Sequence, residues 1–217
     1  MRENTSLLDI VPVIPVVIVR DATDAVPIAR ALVEGGLPII ELTLRTPVAM
    51  DAIERIAAEV PEIIVGAGTI VDTIAPKQAA AAGAQFLVSP GSTPALRSAM
   101  RDTGLPNLPG VATVSEVLAL LEDGYTDMKF FPAEAAGGAA YLRAIHSPVP
   151  VARFCPTGGI TPTNLASYLG LPNVGCIGGS WLTPADAIES RDWTRIASLA
   201  HAAVELANPK TRESDSQ

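Results

Sequence analysis

Short apolar runs rich in β-branched residues alternate along this chain with longer stretches in which apolar residues recur three and four positions apart. The first pattern belongs to strands buried on both faces, the second to amphipathic helices. The first run, 13–19, leads through a cap at Asp21 or Thr23 into a helix carrying Val26, Ala29, Leu32 and Val33, which Gly35 and Gly36 stop. The second, 37–44, ends at Arg45, and Thr46-Pro47 predicts a helix start, with Met50, Ile53 and Ile56 on one face. The third, 63–65, runs into Gly66-Ala67-Gly68-Thr69, with Asp72 as the next cap. The fourth, 85–88, is followed by Ser89-Pro90-Gly91 and a helix opened by Ser92 or Thr93, with Pro94 in its first turn.

The fifth run, 105–111, is broken by two prolines, after which Thr113 and Glu116 predict a capping box. The sixth holds Met128, Lys129, Phe130 and Phe131 and is stopped by Pro132. Gly137-Gly138 then leads into a helix around Tyr141, Leu142 and Ile145. The seventh, 151–155, ends in Pro156-Thr157-Gly158-Gly159, before a helix begun by Thr161-Pro162. The eighth, 174–177, ends in Gly178-Gly179-Ser180. A short turn at Pro184 and a last helix from Asp192, with Trp193, Ile196, Ala200 and Ala203, complete the pattern.

Strands covered on both faces form parallel sheets, and eight strand–helix units in one domain point to an α/β fold, a single compact (β/α)8 TIM barrel with an N-terminal helical segment. The barrel domain is expected over residues 1–207, and the polar stretch 208–217 is expected to be a disordered tail. A doubly wound open sheet is the alternative. Against it, no run is followed by a full Gly-x-Gly-x-x-Gly pattern; Gly66-Ala67-Gly68 supplies only the first half.

Composition narrows the function more than the fold. The 217 residues are 48% hydrophobic and only 4% aromatic, so the core rests on Val, Ile, Leu and Ala. A net charge of -8 argues against a general nucleic-acid binder, which needs a basic face. No apolar run is long enough to cross a bilayer and no signal peptide is evident, so a soluble, cytoplasmic protein without a membrane partner is expected. Cys155 and Cys176 lie in apolar runs and read as reduced core residues. His146 and His201 have no partners at metal-ligand spacing, so no metal site is expected.

The chemistry collects where a barrel places it, at the C-terminal ends of the strands. Lys129 lies in an apolar strand, and an amine desolvated in such a pocket is a nucleophile able to form a Schiff base with a carbonyl. A lysine that snorkels to solvent or pairs with Glu134 is the plainer reading of the same residues. Glu41, Thr43 and Arg45 alternate with Leu42 and Leu44, so they share one face of a strand, best placed in the lumen near its mouth. Glu41 and Arg45 could also be a structural ion pair. The glycine pairs that end the seventh and eighth runs occupy the positions where barrels often cradle phosphate with backbone N–H groups and a short extra helix, for which the Pro184 turn is a candidate. An amine, a carboxylate, an arginine and an anion cradle together suit aldol cleavage, with an iminium as the electron sink and neither metal nor other cofactor.

These segments resemble the 2-keto-3-deoxy-6-phosphogluconate aldolases and the related 4-hydroxy-2-oxoglutarate aldolases. The resemblance runs from about Val13 to about Val204. It is carried by Glu-Leu-Thr-Leu-Arg-Thr at 41–46, Gly-Ala-Gly-Thr at 66–69, Ser-Pro-Gly at 89–91, Lys-Phe-Phe-Pro-Ala-Glu at 129–134, Cys-Pro-Thr-Gly-Gly-Ile at 155–160 and Ile-Gly-Gly-Ser-Trp at 177–181. It implies Lys129 as the Schiff-base residue and Glu41 as the proton-transfer residue acting through water. Arg45 and Thr69 would hold the pyruvate carboxylate. Thr157 would bond near the pyruvate or the substrate hydroxyls, and Pro90 and Phe131 would line the pocket. Gly158, Gly159, Gly179 and Ser180 would bind phosphate. It also implies a homotrimer working in the Entner-Doudoroff route of sugar-acid breakdown. Two other readings fit the residues: a phosphate-binding barrel isomerase or epimerase using Glu41 as base without a covalent intermediate, and a non-catalytic sugar-phosphate sensor.

Overall fold

Parallel strands curl into a closed ring because they are buried on both faces and the helices between them return the chain to the same end. The structure, a computed structural model, describes residues 6–207. The strands are β1 (Val13–Val17), β2 (Ile39–Thr43), β3 (Ile64–Gly68), β4 (Phe86–Val88), β5 (Asn107–Leu108), β6 (Gly110–Val111), β7 (Asp127–Phe130), β8 (Arg153–Pro156) and β9 (Ile177–Gly179). The order β5-β4-β3-β2-β1-β9 forms one arc and β6-β7-β8 the other, with all named pairings parallel. Isolated bridges Phe154↔Val174 and Thr157↔Gly178 join the arcs on the β8–β9 side. The expected barrel is therefore the observed architecture, not the open doubly wound sheet.

The proline-broken fifth run is one stave cut in two. Proline donates no ladder hydrogen bond, and Pro109 separates the piece paired with β4 from the piece paired with β7. Its carbonyl still accepts from Lys129 N, at 3.0 Å, so the stave stays attached on the side that carries the lysine.

Helices α1 (Ala25–Glu34), α2 (Ala49–Glu59), α3 (Ala75–Ala81), α4 (Pro94–Arg101), α5 (Val114–Glu122), α6 (Gly138–His146), α7 (Leu165–Leu169), α8 (Ala185–Glu189) and α9 (Trp193–Ala207) surround the ring. In α2 the buried residues Ala49, Ala52, Ile53 and Ile56 follow the helical repeat and pack on the sheet. Caps at Asp72, Thr93 and the Thr113–Glu116 box are as expected. Three starts differ. Asp21 caps a 3₁₀ turn, Ala22–Asp24, that runs directly into α1. Thr46 does not cap α2, because its hydroxyl donates to Val19 O at 2.6 Å and ties two strand ends together. Thr161 closes a turn with Asn164 before α7 begins at Leu165.

The N-terminal helical segment is a single 3₁₀ turn, Leu7–Asp9, with Leu7 and Leu8 buried. Ser6 donates to Asp127, at the start of β7, and Asp9 pairs with Arg153, at the start of β8. The turn thus caps the N-terminal end of the barrel, and the polar residues collect at the other. The expected tail, 208–217, lies outside the described residues. Among the described residues no helix is long and apolar enough to cross a membrane. Both cysteines are buried and free. The hydrogen bond its own S–H donates to the neighbouring Cys155, and then burial, push the Cys176 thiol well above its usual range; it behaves as core and not as a nucleophile.

Candidate active site

Register decides which side chains meet in the lumen. Glu41 lies level with Val16 of β1 and with Gly66 of β3, and Lys129 lies level with Gly110 of β6 and Cys155 of β8. Across the ring, Lys129 Nζ reaches Glu41 Oε1 at 3.1 Å. Both residues are almost wholly buried, at 4% and 3% exposure. Burying two charges is costly unless they are paired in good geometry, so this contact accounts for how either tolerates the lumen. Lys129 therefore neither snorkels nor pairs with Glu134. Glu41 is bound to the lysine, and its structural ion pair with Arg45 does not form. The Phe131 ring lies 5.5 Å from Nζ and presents its face to the cation. The Phe131–Pro132 peptide is cis.

Glycine makes room for this pair. A Cβ on Gly68 would lie 2.0 Å from Glu41 Oε1, so no side chain fits there while the carboxylate faces the lysine. Gly66, two residues earlier on the same face, leaves space for the Phe86 ring. The Gly-Ala-Gly stretch is thus a clearance device for the lumen and not the first half of a dinucleotide loop. A Cβ on Gly110 would strike Pro90 at 2.2 Å, which is how Pro90 comes to sit beside the stave next to Lys129.

Beyond the pair, Arg45 Nε donates to Thr69 Oγ1 at 3.2 Å. Thr69 follows β3 with φ 59, a left-handed conformation that a β-branched residue adopts at a cost of about 1–3 kcal/mol. Such strain concentrates at functional sites. Arg45 is exposed, so its guanidinium is available to a ligand at the rim. Thr43, on the same strand face as Glu41, donates to Val17 O at 3.2 Å and braces β2 against β1.

The opposite rim is made by the ends of β8 and β9. Thr157 is buried, with Oγ1 in the space above Gly178, where a Cβ would lie 2.2 Å away. Gly158 and Gly159 follow with φ 102 and 78, which favour glycine and turn this backbone out at the rim. Ala133 N donates to Thr157 O and Glu134 N to Gly158 O, at 2.8 and 3.1 Å, joining the loop after β7 to the glycine loop. The buried Tyr168 of α7 donates its hydroxyl to Glu134. Burial, and then the Glu134 carboxylate, push that hydroxyl above its usual range, so it stays protonated. Gly179 packs against Trp181, and Ser180 is exposed beside the mouth. The Pro184 turn continues into α8, a five-residue helix.

The expected site residues thus fall into three groups at one end of the barrel: Lys129, Glu41 and Phe131; Arg45 and Thr69; and Thr157, Gly158, Gly159, Gly179 and Ser180, with Pro90 against Gly110 of β6, on the far side of Lys129 from the last group. Gly68 and Gly178 were absent from the sequence-based set, although each is a glycine at a lumen-facing strand position. Among the described residues no group of three His, Cys, Asp or Glu side chains is arranged to hold a metal ion.

The model of the KDPG and KHG aldolase family matches residues 5–199. The chain belongs to that family. The KHG/KDPG aldolase of Escherichia coli K12 is 52% identical over 200 residues, covering 92% of this chain and 94% of that protein. The 2-dehydro-3-deoxy-phosphogluconate aldolase of Pseudoalteromonas atlantica is 50% identical over 193 residues, 89% of this chain and 90% of the relative. A KDPG aldolase from Legionella pneumophila, solved with pyruvate captured as a covalent carbinolamine intermediate, superposes with a TM-score of 0.88 at 46% identity, covering 91% of this chain and 95% of that one. As a KDPG/KHG aldolase family member the protein is a lyase, and its barrel is the fold of these neighbours.

Proposed function

We propose that this chain cleaves 2-keto-3-deoxy-6-phosphogluconate to pyruvate and glyceraldehyde 3-phosphate through a Schiff base on Lys129, and that it also splits 4-hydroxy-2-oxoglutarate to pyruvate and glyoxylate. The observation that carries this reading is the contact between Lys129 Nζ and Glu41 Oε1, 3.1 Å apart and buried in the lumen. Family membership and the carbinolamine trapped in the Legionella relative support it.

In the proposed cycle the Lys129 amine attacks the C2 ketone and forms a carbinolamine. Glu41, working through water, moves the protons that let water leave and the iminium form. Arg45, steadied by Thr69, holds the C1 carboxylate bidentately. Glu41 then receives the C4 hydroxyl proton as the C3–C4 bond breaks. The bonding electrons pass into the iminium, giving an enamine and the free aldehyde. Protonation at C3 restores the iminium, and water hydrolyses it to pyruvate and the free lysine. The iminium itself is the electron sink. The Phe131 ring and Pro90 keep bulk water from the amine, Thr157 bonds the substrate near its reacting end, and the Gly158, Gly159, Gly179 and Ser180 rim takes the phosphate.

An isomerase or epimerase would need Glu41 as a base and no nucleophile, yet the amine and carboxylate face each other at bonding distance. A sensor would need neither. We further propose a cytoplasmic homotrimer in the Entner-Doudoroff route. Val71 and Ile74, 67% and 66% exposed near the start of α3, supply apolar surface of the kind subunit contacts cover.

The test is a substrate panel scored by pyruvate release, comparing the gluconate compound, its galactonate epimer and 4-hydroxy-2-oxoglutarate. Turnover of the gluconate compound is expected, with Lys129→Met lower by at least about 10³-fold. Parental turnover by Lys129→Met would overturn the reading. Because the substitution strands a buried carboxylate, Lys129→Met/Glu41→Gln serves as the folding control.

A further inference from the structure

A cavity of about 230 Å³ opens on the mouth over β1 and β9. Its floor and walls are apolar, made by Val16, Ile18, Pro184 and Ile188, and its polar atoms come from Ser180, Thr183, Arg20 and Glu189. Two observations join it to the reacting centre. Val16 is level with Glu41 across the β1–β2 ladder, and neighbouring partners in a parallel ladder point to the same face. Ser180 lies next to Gly179, which is level with Pro15, so β9 delivers its serine at the height of Val16.

Arg20 is the one cation among the lining residues. Nearby basic side chains are already engaged: Arg191 with Asp24 and Arg195 with Asp186. The Arg20 side chain has no hydrogen-bond or ion-pair partner among the described residues, and Glu189 on the same wall makes no ion pair with it. An unpaired guanidinium beside an apolar hollow and a serine hydroxyl, on a protein of net charge -8, is a place prepared for an anion.

Resting on the aldolase reading above, we propose that Arg20 is a specificity-determining residue: it binds the terminal phosphate of a six-carbon keto-deoxy acid and so sets a preference for that substrate over 4-hydroxy-2-oxoglutarate. Backbone N–H groups at the glycine rim are dipoles that accept either anion. A full positive charge discriminates, because a phosphate monoester carries close to two negative charges and a carboxylate one. Reach discriminates as well. With C2 joined to Lys129, the second carboxylate of 4-hydroxy-2-oxoglutarate is attached directly to C4, beside the bond that breaks. The phosphate of the six-carbon acid is carried two carbons farther along. The hollow beyond Ser180 is filled by the longer substrate alone.

The experiment measures kcat/KM for both substrates on the full chain and on Arg20→Gln and Arg20→Lys, each also checked for pyruvate trapping with borohydride. Arg20 is an exposed rim residue, so both variants are expected to fold. Arg20→Gln should lower the phosphorylated-to-unphosphorylated ratio roughly 10- to 100-fold, carried by KM, while Arg20→Lys keeps most of it. Raising salt should reduce the parental ratio and leave that of Arg20→Gln nearly level. A ratio that stays at the parental value in Arg20→Gln overturns the assignment of Arg20 while leaving the aldolase reading intact. A parental chain that neither turns over these substrates nor traps pyruvate overturns the aldolase reading, and this inference with it.

Discussion

The two sides of the barrel mouth are built on opposite plans. The lumen between β2, β3 and the facing β7 is buried: Glu41 and Lys129 meet with a few per cent of their surface exposed, and Gly68 leaves no spare volume around the carboxylate. The side formed by β8, β9 and the end of β1 is open, with exposed backbone at Gly159, an exposed Ser180 and a hollow under Arg20. Bond-making needs a reactive amine held away from water at fixed distance from a proton carrier, which only a packed lumen provides. Recognition of a mobile, charged substrate tail needs exposed donors and access. Geometry on the first side is expected to govern kcat, and charge on the second to govern KM and substrate choice.

The sharpest way to break this comparison is Gly68→Ala. The added Cβ would fall 2.0 Å from Glu41 Oε1 and force the carboxylate off its partner, although it touches no ligand. Turnover is expected to drop about 10²- to 10⁴-fold, as for loss of a general acid–base group, with KM changed far less. Overpacking adds a stability cost of about 1–3 kcal/mol, visible in a urea melt. A Gly68→Ala enzyme of parental kcat would show that the tight packing around Glu41 is irrelevant to the chemistry.

A smaller effect is expected on the open side, where Tyr168 braces the glycine loop through Glu134. Tyr168→Phe removes one hydrogen bond to a carboxylate, worth about 1 kcal/mol because Glu134 is exposed to solvent. KM should rise a few-fold with kcat unchanged. The hydroxyl also gives the protein an alkaline signature. Its folded-state pKa lies above the unfolded value of about 10. The contribution to stability is therefore complete below that pH and is lost as pH rises past it, because the unfolded chain gives up the proton first. Denaturant melts from pH 8 to pH 11 should show a shallower alkaline decline for Tyr168→Phe than for the parent. Parallel declines would remove Tyr168 from the account.

Sequence pattern reached the buried side further than the open one, for a physical reason. A strand with a polar residue at every second position announces a lumen face, so Glu41, Thr43 and Arg45 could be placed before any contact was known. Lys129 stood out because an apolar strand is an improbable home for an ammonium. Their pairing across 88 residues required the register, which local sequence does not encode. The clearance role of Gly68 was not legible, because a string of letters does not show which side chain fills the space a missing Cβ leaves. The fifth stave was obscured by Pro106 and Pro109, each of which removes a ladder donor while leaving the stave in place. Closure itself depends on two isolated bridges between β8 and β9, with no continuous ladder to read. Arg20 has the appearance of an ordinary surface arginine after a strand, and only the hollow beneath it gives the charge a purpose.

The central claim is that the Lys129 amine becomes covalently joined to a ketone. Incubation of the unmodified protein with pyruvate and sodium borohydride, followed by peptide mass mapping, tests it most directly. The account predicts a stable adduct of reduced pyruvate confined to the peptide containing Lys129, with activity lost in proportion to labelling. Full activity with no adduct after that treatment, or an adduct on another lysine alone, would contradict it.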